Sequence, residues 1–194
     1  MQEITLTMPH KAILRKTMLV ALMAAGMAFI CSLPAQNREV KASCMAESPK
    51  DGSVWIGSEG QGLYRLGRNG RRIKYSAEQG QIPSDSIKTL FFDAQNNLWI
   101  LDATGIFTIY SATNGFENAG ITNDKIDCAE YDVKEETVYY CSGKSLKTYK
   151  IVSKKTRELA TLPEAAKSIK KAEGDAPFVW VFTEKGMMKV GPGR

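Results

Sequence analysis

Histidine is almost absent from this 194-residue chain: the single copy, His10, lies near the N-terminus. If that segment is removed, as argued below, no histidine remains. Ser-His-Asp and Cys-His catalysis and zinc sites built on imidazole are then excluded, and only carboxylate chemistry stays open to an enzyme. Cysteine is scarce, with four copies, and none are spaced as Cys-x-x-Cys. No acidic loop has a calcium-binding pattern, so neither a metal nor a cofactor is expected. Beyond Val40 no apolar run is long enough to span a bilayer. An excess of one charge is also lacking. The net charge is +5, and Lys11, Arg15 and Lys16 against Glu3 account for part of it, leaving about +3 dispersed over the rest. Nucleic-acid binding calls for a clustered basic stripe, so no nucleic-acid partner is expected.

What is present begins with a leader. Lys11, Arg15 and Lys16 precede an apolar run from Thr17 to Leu33, followed by Pro34-Ala35-Gln36. A basic start, an apolar middle and a small residue at the cut describe a secretory signal peptide, here a signal helix over residues 1–35 with Ala35 at −1 and Leu33 at −3. An uncleaved anchor and a lipoprotein cut before Cys31 are the alternatives. All three place the bulk of the chain outside the cytoplasm, in the periplasm, at the cell surface or secreted, with the membrane touched only through the leader.

Residues 36–194 repeat. Trp55, Trp99, Tyr139 and Trp180 are separated by 44, 40 and 41 residues. An aromatic recurring about every 40 residues is what a β-propeller array shows at one blade per period. Asp51-Gly52-Ser53-Val54-Trp55-Ile56-Gly57 is followed by Gly62-Leu63-Tyr64-Arg65, and Asn97-Leu98-Trp99-Ile100 by Gly105-Ile106-Phe107. Thr137-Val138-Tyr139-Tyr140-Cys141 and Phe178-Val179-Trp180-Val181-Phe182 continue the pattern. Apolar runs upstream supply inner strands, and charged runs downstream supply outer strands suited to solvent. The expected fold is all-β: about four antiparallel blades over residues 40–76, 86–118, 125–161 and 167–190, the last incomplete. The four aromatics are expected to be blade-packing anchors.

At these motifs the chain resembles the two-component regulator propeller repeat. Ile82-Pro83-Ser84-Asp85-Ser86-Ile87 leads through Phe92-Asp93 to Leu98-Trp99-Ile100, and Met45-Ala46-Glu47 leads to the Asp51-Gly52 turn and Trp55. The third repeat has Tyr139 in place of Trp, and the fourth lacks the Asp-Gly turn. The resemblance implies a periplasmic propeller of the kind that forms the sensor part of hybrid histidine kinases responding to glycan breakdown products. The chain contains no kinase, receiver or DNA-binding segment, and carries about four repeats where such sensors carry many.

Four repeats leave closure unsettled. An open arc would expose apolar faces on its end blades. A truncated relative of a longer propeller is the favoured expectation, self-association or a further partner the alternatives, and a closed four-bladed ring the minority one.

Cys44, Cys128 and Cys141 remain after the leader. A hairpin loop at residues 133–136 puts Cys128 directly opposite Cys141, close to bonding reach. A disulfide there and two buried thiols packing as small hydrophobes both fit.

In a propeller the loops after each second strand and those between blades share one face. The candidate ligand-binding residues there are Glu59, Gln61, Asp102, Thr104, Lys144 and Glu184. Their mixed carboxylate, amide and hydroxyl groups suit an oligosaccharide or a peptide. A binding or sensing module is therefore expected rather than an enzyme. An envelope protein-interaction scaffold is the alternative, and a carboxylate enzyme using Glu59 and Asp102 comes third.

Overall fold

The structure, a computed structural model, describes residues 40–172 and 178–191. The leader, its signal helix, His10 and Cys31 lie outside the described residues.

Among the described residues, fifteen strands form four separate antiparallel sheets. The first holds β1 (Ala42–Glu47), β2 (Val54–Ser58), β3 (Leu63–Leu66) and β4 (Arg72–Tyr75). The second holds β5 (Ile87–Phe92), β6 (Leu98–Asp102), β7 (Phe107–Ser111) and β8 (Gly115–Asn118). The third holds β9 (Cys128–Asp132), β10 (Thr137–Ser142), β11 (Ser145–Lys150) and β12 (Lys155–Thr161). The fourth holds β13 (Ser168–Lys171), β14 (Val179–Thr183) and β15 (Gly186–Val190). Strands pair in sequence order within each sheet, which is the meander of a propeller blade.

Turn chemistry explains the hairpins. Asp93 Oδ1 accepts the backbone N–H groups of Gln95 (3.0 Å) and Asn97 (2.8 Å). Its Oδ2 accepts the Trp99 indole N–H at 2.8 Å, so one buried carboxylate closes the turn and orients the anchor. Asp132 caps the next blade's turn in the same way, taking the N–H of Lys134 at 3.0 Å. In the first blade Asp51 does this for Ser53 (3.0 Å) and also pairs with Arg65 at 2.6 Å. Hydrogen bonds from the Ser53 backbone and hydroxyl hold the Asp51 carboxyl well below the usual range.

The middle strands are apolar on both sides because each blade is covered twice. On β6, Leu98 and Ile100 pack toward the first blade, while Trp99 and Leu101 pack toward the third. On β10, Val138 and Tyr140 pack toward the second blade and Cys141 toward the fourth. Period-two alternation thus sorts one apolar run into two different cores. Three apolar clusters result, one at each junction between consecutive blades. Among the described residues no such cluster joins the fourth blade to the first.

The first junction stacks Trp55 on Tyr75 (centroids 5.4 Å apart) and sets it against Tyr110 of the second blade (5.0 Å). Gly57 is required there: a Cβ would come within 2.7 Å of Cys44 Sγ and of Ile87. The second junction stacks Phe91 on Tyr131 at 4.4 Å and sets Trp99 edge-on to Phe107 at 5.7 Å. The third holds Lys171 against Asp132 at 3.4 Å, a mostly buried ion pair.

Candidate functional site

Antiparallel pairing puts the β2–β3, β6–β7, β10–β11 and β14–β15 loops at the same end of their sheets as the connectors between blades. Hydrogen bonds lace this end together, and the pattern recurs from blade to blade. The residue just before each inner strand meets a residue within one position of the end of the second strand. The Glu59 N–H donates to the Lys41 carbonyl (3.0 Å), that of Ala103 to Ser86 (2.8 Å) and that of Lys167 to Phe182 (2.7 Å). In the third blade the Gly143 N–H donates to Asp127 Oδ2 at 2.8 Å. Each connector is also bound to the loop of the blade it leaves, through Gly62 N–H to Asp85 O (2.8 Å), Ile126 N–H to Gly105 O (2.9 Å) and Leu162 N–H to Lys144 O (2.6 Å). Gly105 allows that contact because φ is +83°, and a Cβ there would meet the Ile126 backbone at 2.8 Å.

The candidate residues divide on this frame. Glu59, Thr104, Lys144 and Glu184 are exposed, Gln61 is half-buried and Asp102 is buried. Glu59 pairs with Lys41 at 2.5 Å and Glu184 with Lys167 at 2.6 Å, so equivalent positions of the first and fourth blades carry the same ion pair. Asp102 turns inward. Its Oδ1 accepts the Thr104 N–H (2.9 Å) and the Thr104 hydroxyl, and its Oδ2 is buried without a hydrogen-bond partner among the described residues. Ser58 and Thr183 occupy the matching positions and donate to Gly62 O (2.7 Å) and Gly186 O (3.1 Å). Asp102 is thus a loop-closing group, and the two carboxylates of the enzyme reading have separate local partners.

Two features were not foreseen. Glu164, in the β12–β13 connector, accepts from the Thr183 hydroxyl (2.7 Å) and the Lys185 N–H (3.3 Å), and the Thr183 bond lowers its pKa. No motif flags it, because its partners lie two elements away. A shallow depression lies at the opposite end of the third blade, lined by Lys134, Glu135, Glu136, Lys150, Val152 and Ser153. At the candidate end, Gly143-Lys144-Ser145 has the spelling of a phosphate-loop tail. Here it is a hairpin turn, with Ser142 paired to Ser145, and no helix follows to receive an anion. Among the described residues no group of three or more His, Cys, Asp or Glu side chains could hold a metal ion.

The aromatic anchors behave unequally. Trp55 and Trp99 are each 2% exposed, whereas Tyr139, packed against the third cluster, and Trp180 are both half-buried. Cys128 stands directly opposite Cys141, as the hairpin count requires, and both thiols are free in the structure. The hydrogen bond to Cys128, together with burial, keeps Cys141 protonated and raises its pKa. Burial pushes Cys44 up to about 11.

The arrangement matches solved structures. The extracellular domain of the putative hybrid two component system BT4673 from B. thetaiotaomicron matches with a TM-score of 0.65 at 17% identity, over 81% of this chain and 22% of that one. The corresponding domain of BT3049, from the same organism, gives 0.61 at 17% identity, over 82% and 22%. An auxiliary nutrient binding protein from Bacteroides thetaiotaomicron VPI-5482 gives 0.58 at 10% identity, over 79% and 43%. The chain therefore spans about a fifth of the length of the sensor domains it matches. At these identities the likeness establishes the fold, an antiparallel-bladed β-propeller arrangement. No family model matches the chain, and no curated protein matches it by sequence.

Proposed function

We propose that this chain is an exported binding or sensing propeller module that takes an oligosaccharide on the face formed by its second-strand loops and blade connectors. The observation that carries the reading is the laced backbone of that face. Hydrogen bonds fix the loops, yet the heads of Glu59, Thr104, Lys144 and Glu184 remain exposed. A preorganised backbone with mixed donors and acceptors suits a ligand rich in hydroxyls, because little ordering has to accompany binding. The likeness to extracellular domains of sensor systems and to a nutrient-binding protein supports the same reading, as does the leader for a periplasmic or surface location. The role is binding rather than catalysis, since Glu59 and Asp102 are each engaged locally.

A melting-temperature screen against a panel of defined oligosaccharides tests it. A ligand that binds only the folded state at a hundred times its Kd stabilises by about 2.7 kcal/mol. The expected result is an upward shift for one glycan class that the Lys144→Ala, Glu184→Ala double variant loses, with its unliganded melting temperature little changed because both side chains are exposed. No shift anywhere in the panel overturns the oligosaccharide reading.

An envelope interaction scaffold is a second reading. The exposed Phe182 and Met187 of the fourth blade favour it.

A further inference from the structure

We infer that the turn end of the blades, opposite the proposed ligand face, docks on an anionic lipid surface. Val133 and Val152 enter the headgroup region, and exposed lysines and arginines meet the lipid phosphates. This goes beyond the ligand reading and does not rest on it, since the two concern opposite ends of the sheets. Antiparallel pairing puts the β1–β2, β3–β4, β9–β10 and β11–β12 turns at this end.

The apolar part lies on the third blade. Val133 is 73% exposed and Val152 75%, the highest values among the large hydrophobic side chains of the described residues. Neither belongs to any of the three apolar clusters. Val133 is in the β9–β10 turn and Val152 in the β11–β12 turn. The Ile151 N–H donates to the Glu136 carbonyl at 3.0 Å, so the two turns are fastened side by side. A single exposed apolar residue is ordinary. Two on neighbouring, hydrogen-bonded turns with cations beside them form an amphipathic tip.

The fold collects the cations. Lys154 and Lys155 follow Val152 in the β11–β12 hairpin, and both are exposed. The first blade adds Lys50, Arg68, Arg71 and Arg72 at the same end, all exposed. The Arg68 guanidinium lies across Gly52, where a Cβ would strike it, and so carries charge from the β3–β4 turn onto the β1–β2 turn. None of these six cations forms an ion pair among the described residues. Acidic neighbours are already engaged, Asp51 by Arg65 at 2.6 Å and Glu135 by Lys150 at 3.9 Å, which leaves Glu47 and Glu136 against them. The surplus at these turns is therefore positive, although the same residues are dispersed along the sequence. At the ligand end Lys41 and Lys167 are instead paired, with Glu59 and Glu184.

A bilayer answers both features at once. Its anionic phosphates attract the basic heads, and its interface buries the apolar tips. Lysine and arginine stems lie along such an interface while their charges stay in water. An acidic polymer would meet the cations and leave the valines in water. Docked by this end, the chain keeps its ligand face turned away from the membrane.

Co-sedimentation of the full chain with vesicles tests the inference. Vesicles of phosphatidylglycerol with phosphatidylcholine are compared with vesicles of phosphatidylcholine alone. Each cation near an anionic surface is worth about fivefold in partitioning, so Arg71→Gln with Arg72→Gln should lower binding to the anionic vesicles about twentyfold. Raised salt should weaken the wild type in the same direction. Val133→Ser with Val152→Ser should lower binding about tenfold with the salt dependence retained. Both variants should keep the wild-type melting temperature, because all four side chains are exposed. The leader is identical in every variant, so binding through its apolar run cancels in the comparison. Variants that sediment like the wild type overturn the inference. Equal binding of the wild type to both kinds of vesicle does so too. Retention on an acidic polysaccharide without vesicle binding would assign the cations to a soluble polymer instead and sink the lipid reading.

Discussion

Trp99 and Trp180 occupy the same place in their blades and meet different fates. Trp99 is 2% exposed: its indole N–H is bound to Asp93, and the third blade lies over its ring. Trp180 sits half-buried with Phe178 edge-on at 5.5 Å. The local pattern is the same in both cases, an aromatic flanked by β-branched or aliphatic residues on a middle strand. The difference comes from the neighbour. An anchor acts as a core residue only when a following blade supplies the other wall.

Mutation should expose that difference directly. Trp99→Ala should cost about 3–5 kcal/mol, the range for removing a large buried aromatic. Trp180→Ala, in dilute solution, should cost about 1 kcal/mol or less, as for a residue at a surface. Urea melts of both variants measure the contrast, and equal losses would mean that the fourth blade is covered as fully as the second.

The cysteines sharpen the comparison at the third junction. Cys128 and Cys141 face each other across paired strands, whereas Cys44 has no opposed thiol at the first junction. In a glutathione buffer poised like an oxidising compartment, we expect the pair to lose two hydrogens and form a cross-strand disulfide. Mass spectrometry after denaturing alkylation should then show these two thiols protected until reductant is added, with Cys44 modified throughout. Alkylation of all of them without reductant would rule the bond out.

The smallest effect lies in the turns. Asp51 is half-exposed and its carboxyl is held low by Ser53, so it contributes stability above its unfolded pKa near 4, and that contribution is lost as pH falls toward the folded value. Asp51→Asn should flatten the acid limb of a plot of melting temperature against pH while leaving its shape above pH 5 unaltered. Solvent screening keeps the change small. An unchanged acid limb would assign the acid sensitivity to other carboxylates.

Much of the fold could be read from residue order. The opposition of Cys128 and Cys141 followed from counting outward from a four-residue loop, because antiparallel pairing fixes the register once the turn is known. The site was less legible. The face could be located, since loop position follows from strand direction, and most candidate heads were found exposed. The inward turn of Asp102 was not legible: whether a carboxylate faces solvent or closes its own loop depends on the Thr104 hydroxyl and on burial by neighbouring strands. Glu164 escaped because its role arises from a contact 19 residues away.

By itself the amino-acid order determined the four meanders, their turns and the aromatic anchor in each, since these rest on alternation and local turn chemistry that act over a few residues. Only the tertiary structure decided which side of each strand faces which neighbour, that the three junctions each hold a separate core, and that Trp180 and Phe182 look outward. Burial is a property of what lies opposite a side chain, and no residue's own sequence neighbourhood specifies that.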